Sequence, residues 1–189
     1  MNMYDYNKGS GVFIQVGAGA GDLDKKANYR DCFTELVKKL PRERVKKIIL
    51  VESNPLNIPS LSECWKDYPE SSVHQIRIVP KNCQKEVTDL EKVNVTVKRL
   101  ENFINEVTAD EIELLALDVD GVDADIILDT NFNNLRVKYL SFEYPHLGGN
   151  RDSVLKHLER NNYEFIGSGV AHNGYDYLYI NRRFKNTVI

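Results

Sequence analysis

Hydrophobic positions along the chain fall into two rhythms. The first is a short unbroken run. Val12 to Val16, Ile48 to Val51, Val73 to Val79, Leu114 to Val119 and Val137 to Phe142 are each of strand length, and such runs bounded by glycine, proline or charge predict strands of a buried sheet. The second rhythm is helical. Phe33, Leu36, Val37 and Leu40 predict a helix over Tyr29 to Leu40 that Pro41 stops. Leu56 to Trp65 predicts a short helix, Leu100, Phe103, Ile104 and Val107 an amphipathic one, and Val154, Leu155 and Leu158 another. Val93, Val95 and Val97 alternate with polar residues, the mark of a half-exposed strand. Tyr163 to Ile166 and Tyr175 to Ile180 flank Asn173-Gly174, a hairpin turn signal.

Strands alternating with helices argue an α/β fold, a doubly wound and mostly parallel sheet. The terminal hairpin adds one antiparallel strand. No repeat, low-complexity tract or linker divides the chain, so a single domain over residues 1–189 is expected, with Arg182 to Ile189 as a loose end.

Composition narrows the function classes. Hydrophobic residues make up 42% and charged residues 28% of the chain, which excludes a disordered chain, a collagen-like repeat and a coiled-coil rod. A net charge of −3 supplies no global basic field for nucleic acid or an anionic membrane. The basic residues Lys38, Lys39, Arg42, Arg44, Lys46 and Lys47 cluster at one helix end. They read as a solvated, dipole-compatible end or as an anionic docking patch. Cys32, Cys64 and Cys83 are far apart, so neither a disulfide framework nor a cysteine-rich zinc site is expected. Met1 to Gly11 has no apolar segment of secretory type, and no apolar stretch has the length of a membrane span. A cytoplasmic protein is the expectation.

In an open parallel sheet, ligands bind at the carboxyl ends of the strands, and here those ends carry the unusual residues. Gln15-Val-Gly17-Ala-Gly19-Ala-Gly21 follows the first strand. Its glycines let the backbone turn tightly and approach a ligand, in a G-x-G-x-G spacing that differs from the dinucleotide fingerprint. Glu52 ends the second strand, where a carboxylate can accept hydrogen bonds from ribose hydroxyls. Asp118-Val-Asp120-Gly121 ends the Leu114 strand. Two close carboxylates repel, which raises one pKa and suits general-base work; an acidic helix start at Asp123 and Asp125 is the plainer reading. Glu143 and His146 share the rim after the Val137 strand.

Together these residues resemble the FkbM family of S-adenosylmethionine-dependent methyltransferases. Phe13-Ile-Gln-Val-Gly-Ala-Gly-Ala-Gly is similar to the family's F-I-[DQ]-V-G-A-N-x-G, and Ile49-Leu-Val-Glu-Ser-Asn-Pro to its V-E-P-N-P. Leu114-Leu-Ala-Leu-Asp-Val-Asp-Gly-Val-Asp resembles L-L-K-I-D-V-E-G-x-E, and Lys138-Tyr-Leu-Ser-Phe-Glu its fifth strand. Gly19 stands where the family often has Asn, Ser53 for a common Pro, and Asp120 for the usual Glu.

The resemblance implies a class I methyltransferase (Rossmann-like) fold of seven strands, the last antiparallel, and S-adenosylmethionine as cofactor. Gln15, Gly17, Gly19 and Gly21 would line the methionine part, Glu52 the ribose, Ser53 and Asn54 the adenosine, and Asn82 and Cys83 the adenine. Asp118 and Asp120 would face the transferred methyl, with Asp118 also at the cofactor. It also implies an acceptor that is a hydroxyl of a glycan or small metabolite. Asp120 or Asp118 is then the general base, and Glu143 or His146 orients the acceptor. No metal is required, although Asp118, Asp120 and Asp123 offer oxygen ligands.

Three other readings compete: a nucleic-acid methyltransferase using the basic segment, a nicotinamide-dependent oxidoreductase, and a methyltransferase fold that binds without catalysis. The loops around Asp24 to Arg30 and Leu147 to Arg151 are the places where an acceptor can be covered.

Overall fold

The structure is a computed structural model, and it describes residues 11–23, 31–81, 95–119, 121–168 and 176–187. The expectations for Asn82, Cys83, Asp120 and the Asn173-Gly174 turn lie outside the described residues.

The apolar runs become strands β1 (Gly11–Val16), β2 (Val45–Glu52), β3 (Ser71–Ile78), β5 (Ile112–Leu117) and β6 (Val137–Glu143). The alternating valines give a short β4 (Thr96–Lys98), and the terminal pair gives β7 (Tyr163–Ser168) and β8 (Asp176–Asn181). One sheet holds them in the order β4-β3-β2-β1-β5-β6-β8-β7. Strands β1 to β6 pair in parallel, and β8 runs antiparallel between β6 and β7. The sheet therefore has eight strands where the resemblance implies seven. The addition is β4, a three-residue edge strand whose Val97 stays exposed. Its brevity limits the open edge it presents.

Helices cover both faces. Helix α1 (Cys32–Lys39) starts at the N-cap Asp31, whose carboxylate accepts the Thr34 amide at 2.7 Å. Such a cap contributes about 1 kcal/mol. Phe33 and Val37 of α1, with Leu61 of α2 (Ile58–Cys64) and Trp65, pack on Phe13, Ile48, Leu50 and Leu114 of the sheet. The opposite face receives α3 (Leu100–Val107), α4 (Asp123–Asp129) and α5 (Arg151–Arg160). These helices bury Phe103, Ile104, Ile126, Ile127, Val154 and Leu158 against Val12, Ile14, Leu115 and Leu140. Apolar side chains on both faces explain why the central strands read as unbroken apolar runs. Helix α4 is the element the apolar pattern leaves open: only its acidic start shows in sequence, because two turns are too short to establish a period.

Two expectations about the surface resolve. Four of the six basic residues of the α1–β2 region are in ion pairs, Lys38 with Asp22, Lys39 with Glu35, Arg42 with Glu70 and Lys46 with Asp110; Lys47 donates to the Val107 carbonyl, and the buried Arg44 Nε has no partner among the described residues. Exposed pairs of this kind stabilise little, but they spend the charge that a docking patch needs. The expected loose end from Arg182 is instead a 3₁₀ segment, Arg182–Thr187, fastened by Lys185 on Glu164 at 2.7 Å and by Arg183 on Asn133 at 2.6 Å.

At the base of the sheet, the buried Tyr163 hydroxyl donates to the Val137 carbonyl at 2.8 Å. Tyr163→Phe removes that donor and leaves a buried carbonyl without it. The expected cost is about 1–2 kcal/mol, read as a lower urea midpoint with an unchanged m-value. An unchanged midpoint contradicts this account of the bond.

Candidate functional site

The carboxyl ends of β1, β2 and β5 are locked to each other through backbone. After β1 the chain turns at Gly17, whose φ is +85°. The amides of Gly17 and Ala18 both donate to the Val51 carbonyl of β2, at 2.9 and 3.0 Å, and the Asp118 amide donates to Val16 at 2.9 Å. A Cβ on Gly17 would stand 1.8 Å from the Asp118 carbonyl oxygen, so only glycine closes this junction. Gly19 is the reverse case: its φ is +54°, and a Cβ there would meet nothing within 4 Å. The loop is open on the side that Gly19 presents.

Glu52 spans this junction. It is buried, one carboxylate oxygen accepts the Gly19 amide at 2.7 Å, and the other accepts the Asn54 amide at 2.6 Å. Each oxygen has a second lone pair, so the carboxylate is oriented without being saturated. Asn54 in turn accepts the Leu56 amide at 3.0 Å, which shapes the turn after β2.

Gln15 is not at the rim. It is buried, and its amide donates to Asp31 at 2.7 Å. A carboxylate, that of Asp31, thus sits beside Gln15 in space, as the N-cap of α1. Burial holds the Asp31 carboxyl above the usual value of 3.8, against the lowering hydrogen bonds from Thr34 and Gln15. Gly21 likewise turns away from the open side, because a Cβ on it would come within 2.8 Å of the Cys64 sulfur.

A second group of side chains gathers at the ends of β5 and β6. Asp118 is exposed and continues the alternation of Leu114 and Ala116. Asp123 is wholly buried, and its Oδ1 accepts the Val119 amide at 2.9 Å, pinning the turn after β5. The imidazole Nδ1 of His146 lies 2.8 Å from the Glu143 carboxylate. Across the sheet, Asp176 of β8 pairs in register with Glu143, and Tyr177 with Phe142. The Cys32 thiol at the start of α1 feels this rim: burial first, then the charges of Asp176, Asp31, Glu35 and Asp118, push it up to about 12. The structure thus brings Asp118, Glu143 and His146 to one end of the sheet, as the sequence order suggests. Asp123, the last residue of the Leu114 motif, lies buried beside them, and the structure adds Asp176 and Tyr177, which no motif singles out. The register of the terminal hairpin against β6 is the signal that could have found the last two.

A family model described as the methyltransferase FkbM domain matches residues 15–165. The chain belongs to the FkbM methyltransferase family. S-Adenosylmethionine is its cofactor.

Solved structures agree on the fold. An FkbM methyltransferase from Methylobacillus flagellatus KT superposes with a TM-score of 0.57 at 13% identity, over 90% of this chain and 43% of that one. This chain therefore spans less than half the length of that relative. A fibrillarin from Aeropyrum pernix in complex with natively bound S-adenosyl-L-methionine gives 0.55 at 11% identity, covering 95% and 70%. A fibrillarin pre-rRNA processing protein from Methanococcus jannaschii gives 0.54 at 9%, covering 95% and 68%. No protein with a curated description matches the sequence.

Among the described residues of this FkbM methyltransferase, no three His, Cys, Asp or Glu side chains are grouped so as to hold a metal ion. Asp120, one of the three candidate ligands, lies outside those residues. No described helix is long and apolar enough to cross a membrane.

Asp123 has a thermodynamic signature. Burial raises its carboxyl above the usual 3.8, against the lowering bond from Val119 and the field of His146. Between 3.8 and the raised value, the folded chain keeps a proton that the unfolded chain releases. This group's contribution to stability is therefore full below 3.8 and is lost as pH rises through the folded value. Asp123→Asn removes that dependence. The difference between wild-type and variant melting temperatures should change across this window, and parallel pH profiles contradict the assignment.

Proposed function

We propose that the chain is a single O-methyltransferase domain that transfers a methyl group from S-adenosylmethionine to a hydroxyl of a glycan or small metabolite. The observation that carries this reading is the Glu143–His146 pair, 2.8 Å apart at the rim beside Asp118. A hydroxyl must lose its proton as it is methylated, and a carboxylate-held imidazole is the side-chain pair suited to take it.

The junction between β1, β2 and β5 fits the cofactor. Its open side at Gly19 lets backbone approach the methionine portion, and Glu52 presents an oriented carboxylate to the ribose hydroxyls. Ser53 and Asn54, on the turn that Glu52 organises, would stand at the adenosine. Gly17 and Gly21 serve by letting this loop close on β5 and α2, and Gln15 by holding Asp31, rather than by touching the cofactor. Asn82 and Cys83 keep the place at the adenine, and Asp120 the place facing the transferred methyl, that the resemblance implies for them. S-Adenosylmethionine, when bound, supplies a methyl group already activated by a positively charged sulfur leaving group. The protein then has to orient the acceptor, an effect worth about 7–11 kcal/mol when reacting groups are well placed, and to accept its proton.

Glu143 holds the His146 imidazole by Nδ1, which sets Nε2 as the basic nitrogen. His146 takes the acceptor's proton and Asp118 orients the acceptor from the neighbouring strand. This exchanges Asp118 and the Glu143–His146 pair relative to the roles expected from sequence, because the pair is the one with a defined proton path. Similarity to fibrillarins is similarity of fold. The ion pairs of Lys38, Lys39, Arg42 and Lys46 in the α1–β2 region support a small acceptor over an RNA backbone.

Calorimetry with S-adenosylhomocysteine should show binding that Glu52→Ala abolishes, with none for NAD. Gly19→Ala should fold, at a cost of about 1–2 kcal/mol for a side chain at positive φ, yet bind the cofactor product at least tenfold more weakly. Binding unaffected by either substitution contradicts the assigned pocket.

The chemistry has its own readout. His146→Ala and Glu143→Gln should lower turnover by about 10²–10⁴-fold on a panel of hydroxylated acceptors, with S-adenosylhomocysteine affinity retained. Unchanged turnover in both removes the pair from the mechanism. An RNA acceptor would announce itself by a steep loss of activity with salt.

A further inference from the structure

The β6–β8 end of the rim carries a feature that proton transfer does not use. Tyr144, next to Glu143, and Tyr177, opposite Phe142, stack with ring centroids 4.5 Å apart and planes within 15°. The guanidinium of Arg151, the first residue of α5, lies over both rings, 5.6 and 5.7 Å from their centroids. It also donates to the Tyr177 hydroxyl at 2.5 Å. Two stacked rings and one hydrogen bond brace this guanidinium, and a braced fork of N–H donors is pre-organised for a two-oxygen acceptor.

Among the described residues, Arg151 pairs with no carboxylate, and its bond to Tyr177 uses one of five N–H donors. Its side chain is exposed, the two rings are half-buried, and Gly148 and Gly149 just before it have nothing within 4 Å where a Cβ would stand. The approach from that loop is open.

The surrounding charge is of the other sign. Asp118, Asp176 and Glu143 line the adjacent strand ends. An anionic group on a bound molecule is repelled from those positions and accepted at Arg151. A cation set beside these carboxylates, among the described residues, fixes orientation as well as affinity, since the wrong pose brings like charges together.

From this juxtaposition we infer that Arg151, braced by Tyr144 and Tyr177, is the acceptor-anchoring subsite of the enzyme, and that the acceptor is a hydroxylated ring bearing an oxyanion, a carboxylate or a phosphate. The inference rests on the O-methyltransferase reading and specifies its substrate. The tyrosine pair offers an apolar surface for the ring, Arg151 takes the oxyanion, and the hydroxyl is thereby presented toward Glu143 and His146.

The test uses the full chain saturated with S-adenosylhomocysteine, and calorimetric titration with glucose, glucuronate and glucose 6-phosphate. Glucuronate and glucose 6-phosphate separate the two oxyanion sources, and glucose is the neutral control. The expected result is at least a tenfold preference for one or both anionic sugars over glucose. Arg151→Gln should bring that ratio to about one, and Arg151→Lys, which keeps charge but not the fork, should fall between. Tyr177→Phe, which removes the brace and leaves the ring, should weaken only the anionic ligand. Equal binding of the neutral and anionic sugars, binding of none of them, or a preference that survives Arg151→Gln overturns the inference. The saturation step is an independent control. Loss of S-adenosylhomocysteine binding in the wild-type chain counts against the methyltransferase reading itself, whereas its retention in Arg151→Gln shows the variant folded and confines the result to the acceptor.

Discussion

Everything at the working end of this protein depends on the closure of β1 onto β2 and β5. Three backbone hydrogen bonds, from Gly17 and Ala18 to Val51 and from Asp118 to Val16, bind three strand ends in a space that no side chain at position 17 can share. Glu52 then ties the loop to the turn after β2 through two further amides. The strands themselves owe their position to helices packed on both faces, with Phe13, Ile48 and Leu50 buried on one and Val12, Ile14 and Leu115 on the other. Core burial holds the strands parallel, parallel strands bring their carboxyl ends level, and the glycine-built junction converts those level ends into a cradle. Removing the core would lose the fold, whereas filling the junction would keep the core and lose the cradle.

The rim so formed sorts its acidic groups by solvent. Asp123 is buried and Asp31 half-buried beneath it, each accepting a backbone amide that fixes a chain turn, and desolvation raises the pKa of both. Asp118 faces solvent, Glu52 is buried but keeps acceptor capacity, and Glu143 is half-buried and spent on His146. The same residue type does structural work where water is excluded and is available for ligand chemistry where it is not. Motif spacing alone does not make that distinction. Asp118 and Asp123 lie five residues apart in one acidic segment, yet one orients a turn from inside while the other stands at the opening.

Much of the scaffold was legible because its physics is local. Apolar runs of strand length, helical spacing ended by Pro41, and a hairpin before the last strand specify the doubly wound sheet and its antiparallel strand. Helix α4 was legible only by its acidic start at Asp123 and Asp125, since two turns are too short to show a period until Ile126 and Ile127 are seen in the core. The site divides in the same way. That β1 ends in a turn at Gly17 and Gly19 and that β2 ends at Glu52 was readable from position, because a strand end names its own neighbours. The contacts of Gln15 and Gly21 were not, because each is set by a partner distant in sequence, Asp31 in one case and Cys64 in the other. Tyr144, Tyr177 and Arg151 belong to three different elements and meet only through the pairing of β6 with β8.

That division bears on how far likeness to other methyltransferases carries. The cradle is built from backbone and glycine, so it recurs wherever the sheet recurs, and superposition on proteins at 9–13% identity reflects it. The acceptor end is built from side chains on β6, β8 and the start of α5, which the core does not constrain. Glu143, His146, Tyr144, Tyr177 and Arg151 can all change without moving a strand, because all five lie at the surface or half-buried. Fold similarity therefore informs the half of the rim proposed to hold the methyl donor. The proposed identity of what is methylated rests on the charge pattern of the other half, where, among the described residues, the braced guanidinium of Arg151 stands near Asp118, Asp176 and Glu143.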